Sequence, residues 1–305
     1  MFELTTLNCR LLCACEIVEE IQNAKTLPPF PDPSIYNPLY YTPIGFLKPP
    51  RLIAGGPVGD IDACIVGTNA DGVILAFRGT LMPAFDWPSI LDWIQNFLAV
   101  TISVPGLPGK VHAGFFLAVT TIWKDVLAEV QAQMKDSGKG LIVTGHSKGA
   151  AMATIASMLL HNAGVPVQDV VTIASPNAGN SDFATAYDAI FTQTRYTNHL
   201  DIVPFLPPTP ALAAALAGVP DIGWLFKAFE TANYAPVGNG IYIDGNGSTI
   251  SRASNPIVYD AAILADLVDI TNALVTLQLL QVARSHFLTC GFGYMKGICQ
   301  GAICS

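Results

Sequence analysis

The sequence predicts an α/β fold in which a mainly parallel sheet carries helices on both of its faces. Apolar runs of strand length alternate with longer segments of helical periodicity along most of the 305 residues, which is the pattern of parallel strands joined by crossover helices. In addition, the apolar run 141–144 ends in Gly145-His-Ser-Lys-Gly149 and passes directly into a helical segment. A chain of this length can bury one large core, so we predict a single domain over 1–305.

The predicted elements follow in order from the amino terminus. Residues 4–24 have apolar side chains spaced along one helical face, and residues 28–50 hold eight prolines, which indicate an extended loop. In chain order, the further predicted elements are strands 63–66 and 73–77 joined by an Asp-Gly turn, helix 113–135, strand 141–144, helix 148–163, strands 170–174 and 194–197, a short strand at Tyr242 and Ile243, and helix 258–284.

The composition indicates an apolar surface. Hydrophobic residues make up 51% of the chain and charged residues 12%, which is typical of an enzyme that meets lipid or another apolar ligand. The most apolar stretches are interrupted by Pro, Gly or Asp, so no membrane span is predicted. The net charge of −8 argues against nucleic acids and anionic membranes as partners. The segment Met1–Thr6 lacks a basic signal region, which predicts either an intracellular protein or a chain whose leader has been removed.

Seven cysteines lie mainly near the two ends of the chain: Cys9, Cys13, Cys15, Cys64, Cys290, Cys299 and Cys304. An odd number leaves at least one of them unpaired. Their clustering is compatible with a disulfide between the first helix and the tail, with the pairing left open. The spacing fits no zinc site and no histidine accompanies it, so no metal is predicted.

The motif Gly145–Gly149 predicts a nucleophile elbow, a sharp turn between a strand and a helix that exposes a serine. The turn is so tight that side chains two residues before and after Ser147 would clash with the strand or the helix, which explains the two glycines. Ser147 is therefore the candidate nucleophile. The alternative is a helix cap flanked by glycines.

A serine hydroxyl needs a base and a supporting acid, and in this type of elbow fold the chain order is serine, acid, histidine. Of the five histidines, His286 alone lies in a late loop, and we predict it as the base. The others are less suitable because they precede Ser147 (His112, His146), lie on a predicted solvated helix face (His161) or stand two residues from the favoured acid (His199).

That acid is Asp201, which follows a short strand and precedes a loop stiffened by Pro204, Pro207 and Pro208. Asp182 is the second choice, because Asn180-Ser-Asp182 has the pattern of a helix N-cap. Three further aspartates, Asp260, Asp266 and Asp269, fall on the last predicted helix, where a solvated face is the ordinary explanation.

Stabilisation of the oxyanion requires hydrogen-bond donors in place before the reaction. The backbone N–H of Lys148, the residue after the nucleophile, is one candidate. Thr80, in the loop Arg78-Gly-Thr80 after an earlier strand, is the other, through its N–H and its hydroxyl. The alternative for Thr80 is a plain turn at a strand end.

Several motifs together resemble the class 3 lipases, the family of the filamentous-fungal triacylglycerol lipases. They are Phe77-Arg-Gly-Thr80, Asp92-Trp93 with Asn96, Val111-His-Ala-Gly-Phe115, Thr144-Gly-His-Ser-Lys-Gly149, Ser175-Pro176 with Gly179-Asn180 and Phe183, Asp201-Ile-Val-Pro204, Asn233-Tyr234 through Gly238 to Ile243, and His286-Phe-Leu. The resemblance covers about residues 60–205 well. It implies an α/β-hydrolase fold, a triad of Ser147, Asp201 and His286, and oxyanion donors at Thr80 and Lys148.

The same resemblance predicts a lid over 81–97, with its hinged amphipathic part at 81–94. The Ala- and Leu-rich segment 206–232 is additional material, and we predict a second cap element there. Lys148 departs from the leucine of many fungal members, which places a cation near the site.

The resemblance implies a serine ester hydrolase that acts on triacylglycerol or medium-chain lipid esters, at a lipid–water interface and without a cofactor. A phospholipase A1 or a feruloyl-type esterase is the alternative on the same fold. A non-catalytic lipid-binding protein is the alternative from a different class, although no member of the triad is missing. The natural ester and the oligomeric state are left open.

Overall fold

The computed structural model describes residues 6–19, 44–46, 48–56, 62–80, 100–218, 223–227, 229–276, 278–289 and 293–299. In chain order its strands are β1 Arg51–Gly55, β2 Asp62–Thr68, β3 Val73–Phe77, β4 Thr101–Ile102, β5 Val111–His112, β6 Leu141–His146, β7 Val167–Ile173, β8 Gly179–Asn180, β9 Gln193–Asn198, β10 Tyr234–Ala235, β11 Asn239–Ile243 and β12 Thr249–Ser251. Its helices are α1 Leu7–Glu19, α2 Ala113–Ser137, α3 Lys148–Asn162, α4 Ser181–Asp188, α5 Pro210–Leu216, α6 Gly223–Lys227, α7 Pro256–Val275, α8 Leu279–Ser285 and α9 Met295–Ile298, with a 3₁₀ turn at Val203–Phe205.

The central sheet has the strand order β1-β2-β3-β6-β7-β9-β11-β12. Strands β3, β6, β7, β9 and β11 are parallel to one another. The flanking pairs β1–β2, β2–β3 and β11–β12 are antiparallel. A smaller sheet has the order β10-β8-β5-β4. Because the parallel strands all end at one edge, the loops that follow them meet there.

Successive residues of the central strands pack on opposite faces of the sheet. On β3, Leu75 and Phe77 belong to the core shared with α2 and α3, whereas Ile74 and Ala76 belong to the core shared with α1 and the segment 294–299. Strands buried on both faces have no polar side to solvate, which explains why the sequence shows continuous apolar runs there. The predicted mainly parallel sheet with helices on both faces is confirmed.

The predicted helix 258–284 is wrong as a single element. Helix α7 ends at Val275, and the Gln278 N–H donates to the Ala273 carbonyl at 2.8 Å, a step of five residues that ends the regular helical pattern before α8 begins. The strands β1 and β12 also extend the sheet beyond the predicted ones. Most of the predicted proline-rich loop 28–50 lies outside the described residues.

A disulfide joins Cys9 on α1 to Cys299 just after α9, 290 residues further along the chain. This pairing agrees with the predicted link between the first helix and the tail. Cys13, Cys15 and Cys64 are free and buried, and Cys290 and Cys304 lie outside the described residues. Among the helices that the structure describes, none is both long enough and apolar enough to cross a membrane.

Candidate active site

Ser147 occupies the turn between β6 and α3 with φ 57° and ψ −131°, a conformation that residues with a Cβ rarely adopt. A Cβ on Gly145 would overlap the backbone of Gly149, and a Cβ on Gly149 would overlap the backbone oxygen of Phe77. The Ser147 N–H donates to the Ile173 carbonyl of the next strand at 3.0 Å. The two glycines and the neighbouring strands therefore hold the serine in its strained geometry at the carboxyl edge of the sheet.

The structure brings Asp201 and His286 together although they are 85 residues apart. His286 Nδ1 lies 3.0 Å from both Asp201 Oδ1 and Asp201 Oδ2. The Tyr294 hydroxyl donates to Asp201 Oδ2 at 2.6 Å, and the Val203 N–H donates to Oδ1 at 3.0 Å. Asn198 ties the two loops together by donating to the Ser285 carbonyl at 2.8 Å. The carboxylate is thus held in place by hydrogen bonds from three elements of the chain.

His286 is almost fully buried, with 1% of the residue exposed. This burial lowers the pKa of His286 below its usual value, against the opposing effects of Asp201. A neutral imidazole with Nδ1 bonded to a carboxylate presents Nε2 as an acceptor. His286 is therefore in the protonation state that a general base requires near neutral pH.

The loop that carries His286 lies against the elbow. His146, which directly precedes the serine, has Nε2 2.8 Å from the His286 carbonyl oxygen, and the two imidazole rings have centroids 4.6 Å apart. The Ser147 hydroxyl is buried and has no hydrogen-bond partner among the described residues. The serine hydroxyl is therefore not committed to a structural hydrogen bond.

The loop 78–80 lies directly beside Ser147. A Cβ added to Gly79 would come within 3.0 Å of both the Ser147 Cβ and the His146 carbonyl oxygen. Thr80, the next residue, is half-buried at the same edge. Lys148 is the first residue of α3, and its N–H is one of the amino-terminal donors of that helix. The two candidate oxyanion donors thus flank the serine from β3 and from α3.

Sequence reasoning missed Glu19 at the carboxyl end of α1. Its Oε1 accepts from the Gly79 N–H at 2.7 Å and lies 3.2 Å from His146 Nδ1. One carboxylate therefore contacts the loop of Thr80 and the elbow of Ser147. No local pattern predicts this role, because the partners lie 60 and 127 residues away in the sequence.

The side chain of Lys148 is directed to β2. Its Nζ lies 2.6 Å from Asp62 Oδ1, and the two side chains are 16% and 7% exposed. The ammonium group that was predicted to influence the site thus forms an ion pair with a carboxylate of β2.

The other histidines and aspartates have structural surroundings of their own. His112 caps α2 by accepting from the Phe115 N–H at 3.2 Å, and His161 is exposed. Asp182 lies in the first turn of α4, whose N-cap is Asn180, in agreement with the predicted cap.

The expectation that Asp266 lies on a solvated helix face is wrong. Asp266 is 1% exposed and faces the sheet, 2.7 Å from His199 Nδ1. Asp260 and Asp269, by contrast, are exposed. Asp266 shares its side of α7 with the buried Tyr259, Ile270 and Ala273. Their spacing of seven, four and three residues is the signal that could have located it.

The predicted lid 81–97 lies outside the described residues. The predicted cap element 206–232 is described in part, as α5, α6 and the turn that follows them. Leu216 and Phe226 from these helices belong to the main core.

A parallel sheet with a serine in a strained strand-to-helix turn, an acid after a later strand and a histidine in a late loop is the architecture of the α/β hydrolases. Comparison with solved structures agrees. The structure of Rhizomucor miehei triacylglyceride lipase aligns with a TM-score of 0.56 over 78% of each chain, at 21% identity. At this identity the likeness is one of fold.

Residues 74–211 match the family model of the class 3 lipases. The secreted mono- and diacylglycerol lipase 1 of Fusarium solani is 31% identical over 172 residues, which are 53% of this chain and 48% of that protein. The secreted mono- and diacylglycerol lipase A of Penicillium cyclopium is 29% identical over 189 residues, 60% of this chain and 58% of that protein. Phospholipase A1-II 4 of rice is 26% identical over 176 residues. Residues 74–211 thus resemble the class 3 lipases, and the chain spans about half the length of the relatives that it matches.

Proposed function

We propose that the protein is a serine carboxylic-ester hydrolase that acts on lipid esters through an acyl-enzyme intermediate. The observation that carries this proposal is the buried Asp201–His286 pair. The loop of His286 is hydrogen-bonded to His146, next to the strained Ser147 of the elbow. A carboxylate, a neutral imidazole and a serine hydroxyl in this order are the parts that nucleophilic acyl transfer needs.

In the proposed reaction, the Ser147 Oγ attacks the ester carbonyl while His286 Nε2 accepts the hydroxyl proton. Asp201 keeps Nδ1 protonated and stabilises the resulting imidazolium. The N–H groups of Thr80 and Lys148 donate to the oxyanion. His286 then returns the proton to the leaving alcohol, and a water molecule, deprotonated by the same histidine, attacks the acyl-enzyme and releases the fatty acid. The reaction requires no cofactor.

For the substrate we propose acylglycerols or medium-chain lipid esters met at a lipid–water interface. The printed names of the fungal relatives support an acylglycerol. The exposed face of α7 supports the interface, because Ile257, Leu264, Val268 and Val275 form one apolar stripe and are each more than half exposed. The helix carries no lysine or arginine, which favours a neutral lipid surface over an anionic one.

We propose that the protein is secreted. Two of the relatives are named as secreted, and the disulfide Cys9–Cys299 fits an oxidising environment. The lid at 81–97 stays a prediction. If it is hinged, hydrolysis should rise abruptly once the substrate exceeds its solubility limit.

The proposal is tested by labelling with a fluorophosphonate and by hydrolysis of p-nitrophenyl esters of increasing chain length. The wild-type protein should be labelled and Ser147→Ala should not, whereas Ser254→Ala, at an exposed serine, should behave as the wild type does. Labelling that persists in Ser147→Ala would refute the assignment. A rate that is largest for acetyl or butyryl esters would indicate an esterase rather than a lipase.

Phospholipase A1 activity is the second candidate function, favoured by the rice relative. Hydrolysis of dioleoylglycerol and dioleoylphosphatidylcholine, each presented in detergent micelles, separates the two candidates. We expect faster hydrolysis of the diacylglycerol. Faster hydrolysis of the phospholipid would instead favour phospholipase A1 activity over acylglycerol lipase activity.

A further inference from the structure

A second aspartate–histidine pair lies behind the loop that carries Asp201. Asp266, on the buried side of α7, has Oδ1 2.7 Å from His199 Nδ1 and accepts from the Leu200 N–H at 2.9 Å. His199 and Leu200 directly precede Asp201 in the sequence. One buried carboxylate oxygen therefore holds the side chain of one residue and the backbone of the next.

The backbone that Asp266 holds is strained. Leu200 has φ +65°, in the left-handed region that a leucine seldom adopts. The next residue, Asp201, has its N–H bonded to the Asn198 carbonyl at 3.1 Å. Without the Asp266 carboxylate, the Leu200 N–H would lose its buried acceptor and the turn would be expected to relax. The direction of the Asp201 carboxylate depends on this turn.

His199 meets charged or titratable groups from every element packed around it. The Tyr242 hydroxyl of β11 is 3.1 Å from its Nδ1. Asp266 and Asp269 face it from α7, and Asp244 faces it from the turn after β11. The pocket beside it is also lined by Arg284 and Lys296. The three carboxylates favour the charged imidazolium, and the partial burial of the ring opposes it.

We propose that Asp266 and His199 are positioning residues that clamp the turn 199–201, so that the Asp201 carboxylate is aimed at His286. The clamp rests on the proposed function, since it acts through Asp201 and touches no substrate. The clamp is strongest while His199 is an imidazolium, because the buried Asp266 carboxylate then has a counter-charge. Deprotonation of His199 leaves a neutral donor and weakens the clamp.

The clamp therefore predicts an alkaline loss of activity. The hydrogen bond to Asp266 raises the pKa of His199 above its ordinary value of 6.5, while partial burial opposes the rise. Because this pKa is raised, the stabilisation of the clamp is fully present below pH 6.5. It is lost as the pH rises through the pKa of His199 in the folded protein. A decline in kcat on the alkaline side should follow the titration of His199.

The test compares kcat and KM between about pH 5 and about pH 10 in the wild type and in variants. The variant His199→Asn places an amide donor near the position of Nδ1, and this amide does not titrate. The alkaline decline in kcat should therefore disappear in this variant, while the decline of kcat at acidic pH should remain. Asp266→Asn should lower kcat about tenfold at neutral pH with little change in KM, and should shift the NMR-measured pKa of His199 downward. The control Asp260→Asn, at an exposed aspartate of the same helix, should change neither kcat nor the pKa of His199.

An alkaline decline in His199→Asn that equals the wild-type decline would overturn the proposal. Thermal unfolding of each variant identifies misfolding, and Tyr242→Phe serves as a milder perturbation of the same cluster if Asp266→Asn does not fold. If the wild type hydrolyses no ester, the proposed function fails, yet the clamp can still be tested. Asp266→Asn should then change the NMR titration of His286, and an unchanged titration would refute the clamp alone.

Discussion

Two aspartate–histidine pairs lie on either side of the loop 198–201, and they are in opposite electrostatic situations. In the Asp201–His286 pair the histidine is 1% exposed, and burial lowers its pKa. In the Asp266–His199 pair the histidine side chain is 30% exposed, and the hydrogen bond to Asp266 raises its pKa. The same two residue types therefore have a lowered histidine pKa in one place and a raised one in the other, because the degree of desolvation decides which effect prevails.

Each pair also includes a tyrosine. The Tyr294 hydroxyl donates to the carboxylate of Asp201 at 2.6 Å, whereas the Tyr242 hydroxyl lies 3.1 Å from the imidazole of His199. Tyr294 thus stabilises the charge of the acid. Tyr242 faces both His199 and Asp266.

Replacement of the two histidines by alanine should separate the pairs most clearly. We expect His286→Ala to lower kcat/KM by about 10⁴-fold or more, because no group would remain to accept the serine proton. His199→Ala should cost at most about 10²-fold, through a misplaced Asp201. The rates of p-nitrophenyl ester hydrolysis measure both effects. The reverse order would make His199 the base.

The two tyrosines provide a smaller and matched comparison. Tyr294→Phe removes a hydrogen bond to a buried charge and should lower kcat by about tenfold, the equivalent of about 1.4 kcal/mol. Tyr242→Phe should change kcat by less than about threefold near neutral pH, since Asp266 still holds His199. Equal losses in the two variants would show that the pairs contribute alike to the reaction.

A third pair near the site, Lys148–Asp62, should contribute least to catalysis. Lys148→Met leaves the backbone donor in place, so kcat should stay within about threefold of the wild type. It also leaves Asp62 buried without its cation, so the protein should lose about 1–3 kcal/mol of stability in urea unfolding. The double variant Lys148→Met/Asp62→Asn should recover part of that loss. A large fall in kcat with unchanged stability would instead assign the ammonium group a direct role.

Local patterns predicted the parts of the site that depend on local geometry. The glycines of the elbow are required by the turn itself, and the apolar runs around Ser147 follow from strands buried on both faces. Chain order then selected His286, and the strand and prolines around Asp201 favoured it as the acid. The structure brings those two residues together. The break between α7 and α8 was missed, because the apolar periodicity continues across it.

The residues that support these groups depend on packing between distant segments. Glu19 reaches Gly79 and His146 only because α1 packs on the sheet and is tied to the tail by the disulfide. Asp266 lies against Leu200 only because the other face of α7, with its apolar stripe, is turned outward. A carboxylate on a helix is normally solvated, and only the tertiary structure decides which side of α7 is buried.

The sequence by itself determined the fold class, the position of the serine and the candidate acid and base, since the elbow and the strand pattern are encoded within short segments. The tertiary structure alone decided the opposite directions in which the pKa values of His286 and His199 are shifted. Exposure and neighbouring charges set a pKa, and both depend on which surfaces meet after the chain has folded.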